Sequence, residues 1–179
     1  MAKAKQYLRV QVGDAMYLFP GATGYAIEQR ENLSVDDITG PIAAWRTVRG
    51  RRLPAYSLDA ALRPTRRVDW QRAVFIESAS GEGAGFIVDD VHMLPEDETA
   101  VTSFEPLGPP PTSAGHVFAG AWQQDTTPGT DDSRDGGGRT ASGTAVEKVE
   151  RRREQPSKRV VLVFDPRALV AYLQSLGGA

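Results

Sequence analysis

Two histidines, His92 and His116, are the natural candidates for acid-base or metal chemistry, and they fall in different segments of the chain. Neither belongs to a His-x-x-x-His or Glu-x-x-His spacing that would bring two ligands to one face, so both read as structural or surface residues. Asp89-Asp90 is the best carboxylate pair. Adjacent strand residues point to opposite faces, however, and the two would not share a substrate; ending or capping a strand suits them better. Gly81, Gly83 and Gly85 imitate the spacing of a phosphate loop, but Phe86-Ile87-Val88 continues as a strand and offers an anion no helix N-terminus, so the glycines read as a hairpin turn. Ser57, Ser78, Ser80 and Ser103 lack a Gly-x-Ser-x-Gly elbow, and the absence of cysteine removes thiolate nucleophiles, disulfides and thiolate metal sites. No catalytic, metal-ligating or cofactor-binding residue can be nominated, and the expectation is a protein that is not an enzyme.

The more suggestive group is basic: Trp45, Arg46, Arg49, Arg51 and Arg52 crowd one short stretch. Such a cluster is either a solvated hairpin tip or a protein-protein contact, in which the planar arginine fork pairs with carboxylates and packs on aromatic rings. Nucleic acid is the weaker reading. The formal net charge is -2, and no RNP, helix-turn-helix or zinc-finger pattern accompanies the cluster. Arg151-Arg152-Arg153, preceded by Glu147 and Glu150, reads as a solvated run rather than a site.

The elements that must carry these residues are mostly strands. Leu8, Val10 and Val12 alternate with Tyr7, Arg9 and Gln11, the period of a strand with one buried face, and Gly13-Asp14 offers a turn into a second arm over 15–19. A polar loop over 28–39 precedes strands over 42–48 and 53–58, joined at Arg49-Gly50. Residues 59–62 could form one helical turn, and a basic linker over 63–72 leads to a second hairpin over 73–77 and 85–91. A proline-rich connector then reaches a small-residue strand over 117–122. The segment 123–159, with Gly136-Gly137-Gly138 and few large apolar side chains, cannot offset its ordering entropy and reads as a disordered surface insertion. Val160-Val161-Leu162-Val163-Phe164 is a strand buried on both faces, followed by a helix with Ala168, Leu169, Tyr172, Leu173 and Leu176 on one stripe. Strands in two successive groups with one terminal helix indicate an all-β barrel or sandwich class.

At 179 residues the chain suits one domain, or two small lobes sharing a core, and 40% hydrophobic with 25% charged residues is ordinary for a soluble protein. The start at Met1-Ala2-Lys3-Ala4-Lys5-Gln6 has no signal-peptide apolar core, and no apolar run approaches membrane-spanning length; the chain reads as cytoplasmic, without direct membrane insertion.

The stretch Val48-Arg49-Gly50-Arg51-Arg52-Leu53-Pro54-Ala55-Tyr56-Ser57-Leu58 resembles the signature of the CheW-like chemotaxis adaptor family, in which Leu-Arg-Gly precedes a strand reading x-Val-Val-Pro-Val-x-Asp-Leu. In the same order, Leu8 to Phe19 resembles that family's opening hairpin and Gly85-Phe86-Ile87-Val88-Asp89-Asp90-Val91 its Gly-x-x-Val-Asp-x-Val strand. His116-Val117-Phe118-Ala119-Gly120-Ala121 with Val160 to Leu169 resembles its closing strand pair and helix. Thr47 stands where the family usually has Asn, and Ser57 where it has Asp. The likeness implies an all-β fold of two SH3-like five-stranded β-barrel lobes with a short C-terminal helix, a single domain over 1–179 whose strand lobes interleave near the termini, and a non-enzymatic adaptor without cofactors. Its implied partners are the regulatory domain of a CheA-type histidine kinase and the cytoplasmic tip of a methyl-accepting chemoreceptor. Arg49 matches the family's functionally important arginine, with Trp45, Arg46 and Arg51 as further partner-binding candidates by position. Leu53-Pro54 and residues 163–169 are similar to PilI-type members, which serve type IV pilus (twitching) chemosensory systems. A general SH3-like interaction module and a nucleic-acid-binding β-barrel are the alternatives.

Overall fold

The computed structural model describes residues 6–21, 23–77, 82–95, 99–105, 108–110, 115–125 and 158–177. The strands are β1 (Gln6–Val12), β2 (Ala15–Pro20), β3 (Tyr25–Gln29), β4 (Ile42–Val48), β5 (Arg51–Tyr56), β6 (Arg72–Glu77), β7 (Gly83–Val88), β8 (Asp90–Pro95), β9 (Val101–Ser103), β10 (Phe118–Asp125) and β11 (Lys158–Phe164), followed by helix α1 (Pro166–Leu176). They form two sheets, one ordered β8-β1-β2-β11-β10-β9 and the other β3-β6-β7-β5-β4. The all-β, two-sheet expectation with a terminal helix holds, with six strands in the first sheet where five were expected.

The first sheet draws its strands from both ends of the chain, and the second from the stretch between them. The opening hairpin β1–β2 joins the last strands, because β2 lies parallel to β11, with Tyr17 opposite Leu162 and Leu18 opposite Val163. The segment expected as one strand over 85–91 is two strands in different sheets, with Asp89 between them. Asp89 fits a break of this kind because its side chain serves backbone and linker together. Its Oδ2 accepts the Gly13 N–H at 2.6 Å, its own N–H donates to the Gln11 carbonyl at 2.8 Å, and its carboxylate pairs with Arg67. Adjacent Asp90 turns to Arg72 and His92 instead, so the two carboxylates diverge as strand alternation requires.

Each sheet is apolar on both sides. One cluster between the sheets gathers Leu8, Val10, Val12, Tyr17 and Phe19 from the first, Val74, Ile76, Phe86 and Val88 from the second, and Leu169 and Leu173 from α1. A second, beyond the second sheet, holds Leu53, Ala55, Phe75, Ile87 and Trp70, and a third, beyond the first sheet, holds Leu18, Trp122, Val161 and Val163. Strands caught between two such clusters carry apolar residues on both faces, and β7 is buried at every position. Gly85 permits this closeness, since a Cβ there would meet the Phe75 ring at 2.6 Å and the Val74 carbonyl oxygen at 2.8 Å. Phe164 is the hub of the central cluster, with ring centroids 4.9 Å from Tyr17, 4.8 Å from Phe19 and 5.3 Å from Phe118. Helix α1 starts directly after it, where the Asp165 carboxylate accepts the N–H groups of Arg167 and Ala168 and Pro166 fills the first turn.

Both ends of the segment expected as an insertion over 123–159 are strand instead. Gln123, Gln124 and Asp125 pair with Val160, Arg159 and Lys158, because a hairpin ladder needs backbone groups and not apolar side chains. Residues 126–157 lie outside the described part of the chain, as do Ser78, Ser80, Gly81 and Arg151-Arg152-Arg153.

Two expected outcomes follow. Phe164→Ala removes the ring on which both sheets and the helix converge and lowers the unfolding free energy by about 3–5 kcal/mol, read by urea titration. At Asp89, burial pushes the carboxyl pKa up, but hydrogen bonds from Arg67 and the Gly13 N–H, with the Arg67 charge, outweigh it and hold the group below its ordinary value. Stability from a depressed carboxyl is present above the unfolded pKa near 4 and fades as pH falls through the folded value. Asp89→Asn therefore costs about 1 kcal/mol at neutral pH, the modest size set by solvent screening, and flattens the acid limb of stability against pH.

Candidate functional site

The basic cluster lies on the β4–β5 hairpin, and its turn is dictated locally. Val48 pairs with Arg51, leaving Arg49 and Gly50 as a two-residue loop with φ of 48° and 79°. Two successive positive φ values are the mark of the primed turn whose twist matches antiparallel strands; glycine takes its place freely, while Arg49 holds a left-handed conformation that non-glycine residues seldom adopt. The Arg49 side chain is exposed and has no ion-pair partner among the described residues. Arg51 stands beside it, also exposed.

Trp45 and Arg46 do not join that tip as equals. Being adjacent on a strand, they face opposite ways. Trp45 is half-buried and anchors the loop before β4: its backbone exchanges hydrogen bonds with Ser34 at 2.7 and 2.9 Å, and its indole N–H donates to the Asp37 carbonyl at 3.4 Å. Arg52 lies over the ring, 4.7 Å from its centroid, and reaches Asp37 at 3.6 Å. One face of the indole is thus covered by the protein's own arginine, which reduces its use as a base-stacking platform.

Arg46 turns inward. Its Nε donates to Glu28 at 2.7 Å, its Nη1 pairs with Glu77, and its guanidinium lies 5.6 Å from the Phe75 ring centroid. Glu28 is on β3 and Arg46 on β4, the two opposite edges of the second sheet. The sheet therefore curls until its edges meet, and this ion cluster spans the seam. The candidate residues divide accordingly: Arg49 and Arg51 point outward at the tip, Trp45 braces a loop, and Arg46 ties the lobe together.

A second surface is one that residue type alone does not flag. Edge strand β3 of one sheet approaches edge strand β8 of the other, where the Tyr25 hydroxyl donates to the Met93 sulfur at 3.1 Å. Ile27 and Met93, on these two edge strands, are 38% and 46% exposed. Period-two alternation could have placed Tyr25 and Ile27 on one face, but nothing local announces β8 as their neighbour.

The titratable groups elsewhere are held in pairs. His92 lies 2.6 Å from Asp90, whose carboxyl is held below its ordinary value first by the Val91 N–H and then by His92, and His116 meets the Gly108 carbonyl at 3.2 Å. Ser57 is buried and accepts the Arg67 N–H at 3.0 Å, fixing the linker. Among the described residues no group of three or more His, Asp or Glu could hold a metal ion, and no helix is long and apolar enough to cross a membrane.

No protein-family model matches the chain, and no curated protein does. Several solved structures are similar, among them one scaffolding protein. The scaffolding protein TtCheW from Thermoanaerobacter tengcongensis is 16% identical, the match covering 91% of this chain and 90% of that one at a TM-score of 0.47.

Arg46 and Arg49 should separate by stability. Arg46→Ala leaves Glu28 and Glu77 facing each other without their cation and costs about 2–3 kcal/mol in urea unfolding, whereas Arg49→Ala stays within about 0.5 kcal/mol of wild type.

Proposed function

We propose that this chain is a non-enzymatic CheW-like adaptor that couples chemoreceptors to a CheA-type histidine kinase. The observation that carries the reading is the exposed Arg49 at the β4–β5 turn, in the stretch whose sequence resembles the family signature and at the position of its important arginine. A side chain without an ion-pair partner among the described residues, on a turn fixed by backbone pairing, presents its five donors in a fork suited to a carboxylate on another protein. Two packed sheets with exposed Ile27 and Met93 on their neighbouring edge strands support the same reading. In this reading the Arg49 and Arg51 tip meets the kinase regulatory domain, and Ile27 and Met93 receive the helical tip of a receptor, whose apolar face would cover them. The likeness of Leu53-Pro54 and residues 163–169 to PilI-type members favours a type IV pilus chemosensory system, with the chain in the cytoplasm beside membrane-bound receptors.

Reconstitution with the CheA-type kinase and receptor encoded near its gene tests the proposal. Wild type should bind both and change kinase autophosphorylation. Arg49→Ala should weaken kinase coupling by about 30-fold, the size of one interface hot spot, while Ile27→Asp should spare the kinase and impair receptor capture. Wild-type protein that neither binds nor alters phosphorylation would sink the adaptor reading, and an Arg49→Ala protein indistinguishable from wild type would sink the site assignment alone.

A further inference from the structure

At the base of the same β4–β5 hairpin, away from the arginine tip, a cavity of about 210 Å³ opens between the loop before β4 and the linker after β5. Its mouth is aliphatic and wet: Val35 is 45% exposed, Ile38 37% and Val68 68%. These are three of the seven large hydrophobic residues that stand exposed among the described residues, and they converge on one opening. Isolated exposed aliphatics need no explanation, but a cluster rimmed by polar groups marks a contact surface.

Both walls are anchored by interactions that owe nothing to these side chains. The 34–37 loop is tied to β4 through Ser34 and Trp45 and held by Arg52 on the Asp36 carbonyl at 3.2 Å. The linker is tied by Ser57 to the Arg67 N–H and by the Arg67–Asp89 ion pair. The valines and the isoleucine are thus held open rather than left loose. Asp36, Asp37 and Asp69 stand in the same segments outside the opening, but the charged side chains that line it are all basic. Arg30, Arg66 and Arg67 line the cavity, and no Asp or Glu does among the described residues. Arg67 is neutralised by Asp89, and Arg30 is stacked 5.0 Å over Trp70 with Nη1 on the Val68 carbonyl at 2.8 Å, which orients its remaining N–H groups. No carboxylate pairs with Arg66 among the described residues. Glu31 lines an adjoining depression that shares Arg30 and Val35 with the cavity.

We propose that this cavity is a docking site for a peptide segment of a partner protein in which a bulky apolar residue is flanked by carboxylates. The apolar side chain enters between Val35, Ile38 and Val68, and the carboxylates meet Arg30 and Arg66. The site is separate from the Arg49 tip and from Ile27 and Met93, so it stands whether or not the adaptor reading does.

The test uses the full chain with its methyl groups isotope-labelled, titrated with a synthetic peptide carrying Leu-Phe between two Glu-Asp pairs. Methyl resonances of Val35, Ile38 and Val68 and the Trp70 indole signal should shift together and saturate at a Kd on the order of 0.1–1 mM. The same peptide with Gln-Asn pairs should bind about tenfold more weakly, as should the acidic peptide to Arg66→Glu. Val68→Asp, at a position too exposed to disturb folding, should abolish the response, and Arg49→Ala should leave it unchanged. The proposal is overturned if the acidic peptide moves none of these signals up to about 5 mM, or binds Arg66→Glu and Val68→Asp as it binds wild type. It is equally overturned if only vesicles of an anionic phospholipid shift the patch, which would make it a lipid contact.

Discussion

The structure depends on one apolar interior shared by two sheets. Phe164 sits where they meet, its ring against Tyr17 and Phe19 of the first sheet and 6.1 Å from Phe86 of the second, and the helix that begins two residues later closes the same space. Because each sheet also covers a cluster of its own on the far side, its strands are pressed from both directions. That double burial demands small residues such as Gly85 and Ala84 wherever large ones face across, and it leaves polar groups only the edges, turns and seams. Arg46 obeys this rule. It is admitted to the lobe's seam because Glu28 and Glu77 supply the opposite charge.

Local structure was legible in the sequence, and long-range partnership was not. Leu8, Val10 and Val12 alternate with polar neighbours and are buried as alternation requires, and the unbroken run 160–164 is the strand it reads as, although burial on both faces fails at Val160, which is 57% exposed. The Arg49-Gly50 turn follows from residue type. Sheet membership follows from contacts between segments far apart, and no periodicity encodes that β1 and β2 belong with β8 and β11. The same holds for the break at Asp89, where the apolar run over 85–91 conceals a change of sheet. The aspartate alone hints at it, and its partners, Gly13 and Arg67, are 76 and 22 residues away.

The functional surfaces divide along that line. Arg49 and Arg51 could be nominated from their turn. Arg46 was grouped with them by proximity in sequence, although alternation from Trp45 sends it to the other face and its carboxylates come from positions 18 and 31 residues distant. The pair Ile27 and Met93 and the opening at Val35, Ile38 and Val68 are assembled from separate segments, and each residue alone is an unremarkable aliphatic or thioether side chain. A single arginine on the seam nonetheless links two of these surfaces mechanically, since Glu28 lies on β3 beside Ile27 while Arg46 lies on the hairpin that carries the tip.

The parallel pairing of β2 with β11 has a consequence for how the protein is made. The β1–β2 hairpin is synthesised before the other described strands, yet its two neighbours, β8 and β11, end only at Pro95 and Phe164, whereas every strand of the second sheet is complete by Val88. The second lobe can therefore close during synthesis while the first hairpin waits with unpaired edges, and contacts between segments this distant close slowly. Among the described strands, β2 is made early, and the edge it offers to β11 stays uncovered until that last strand has been synthesised.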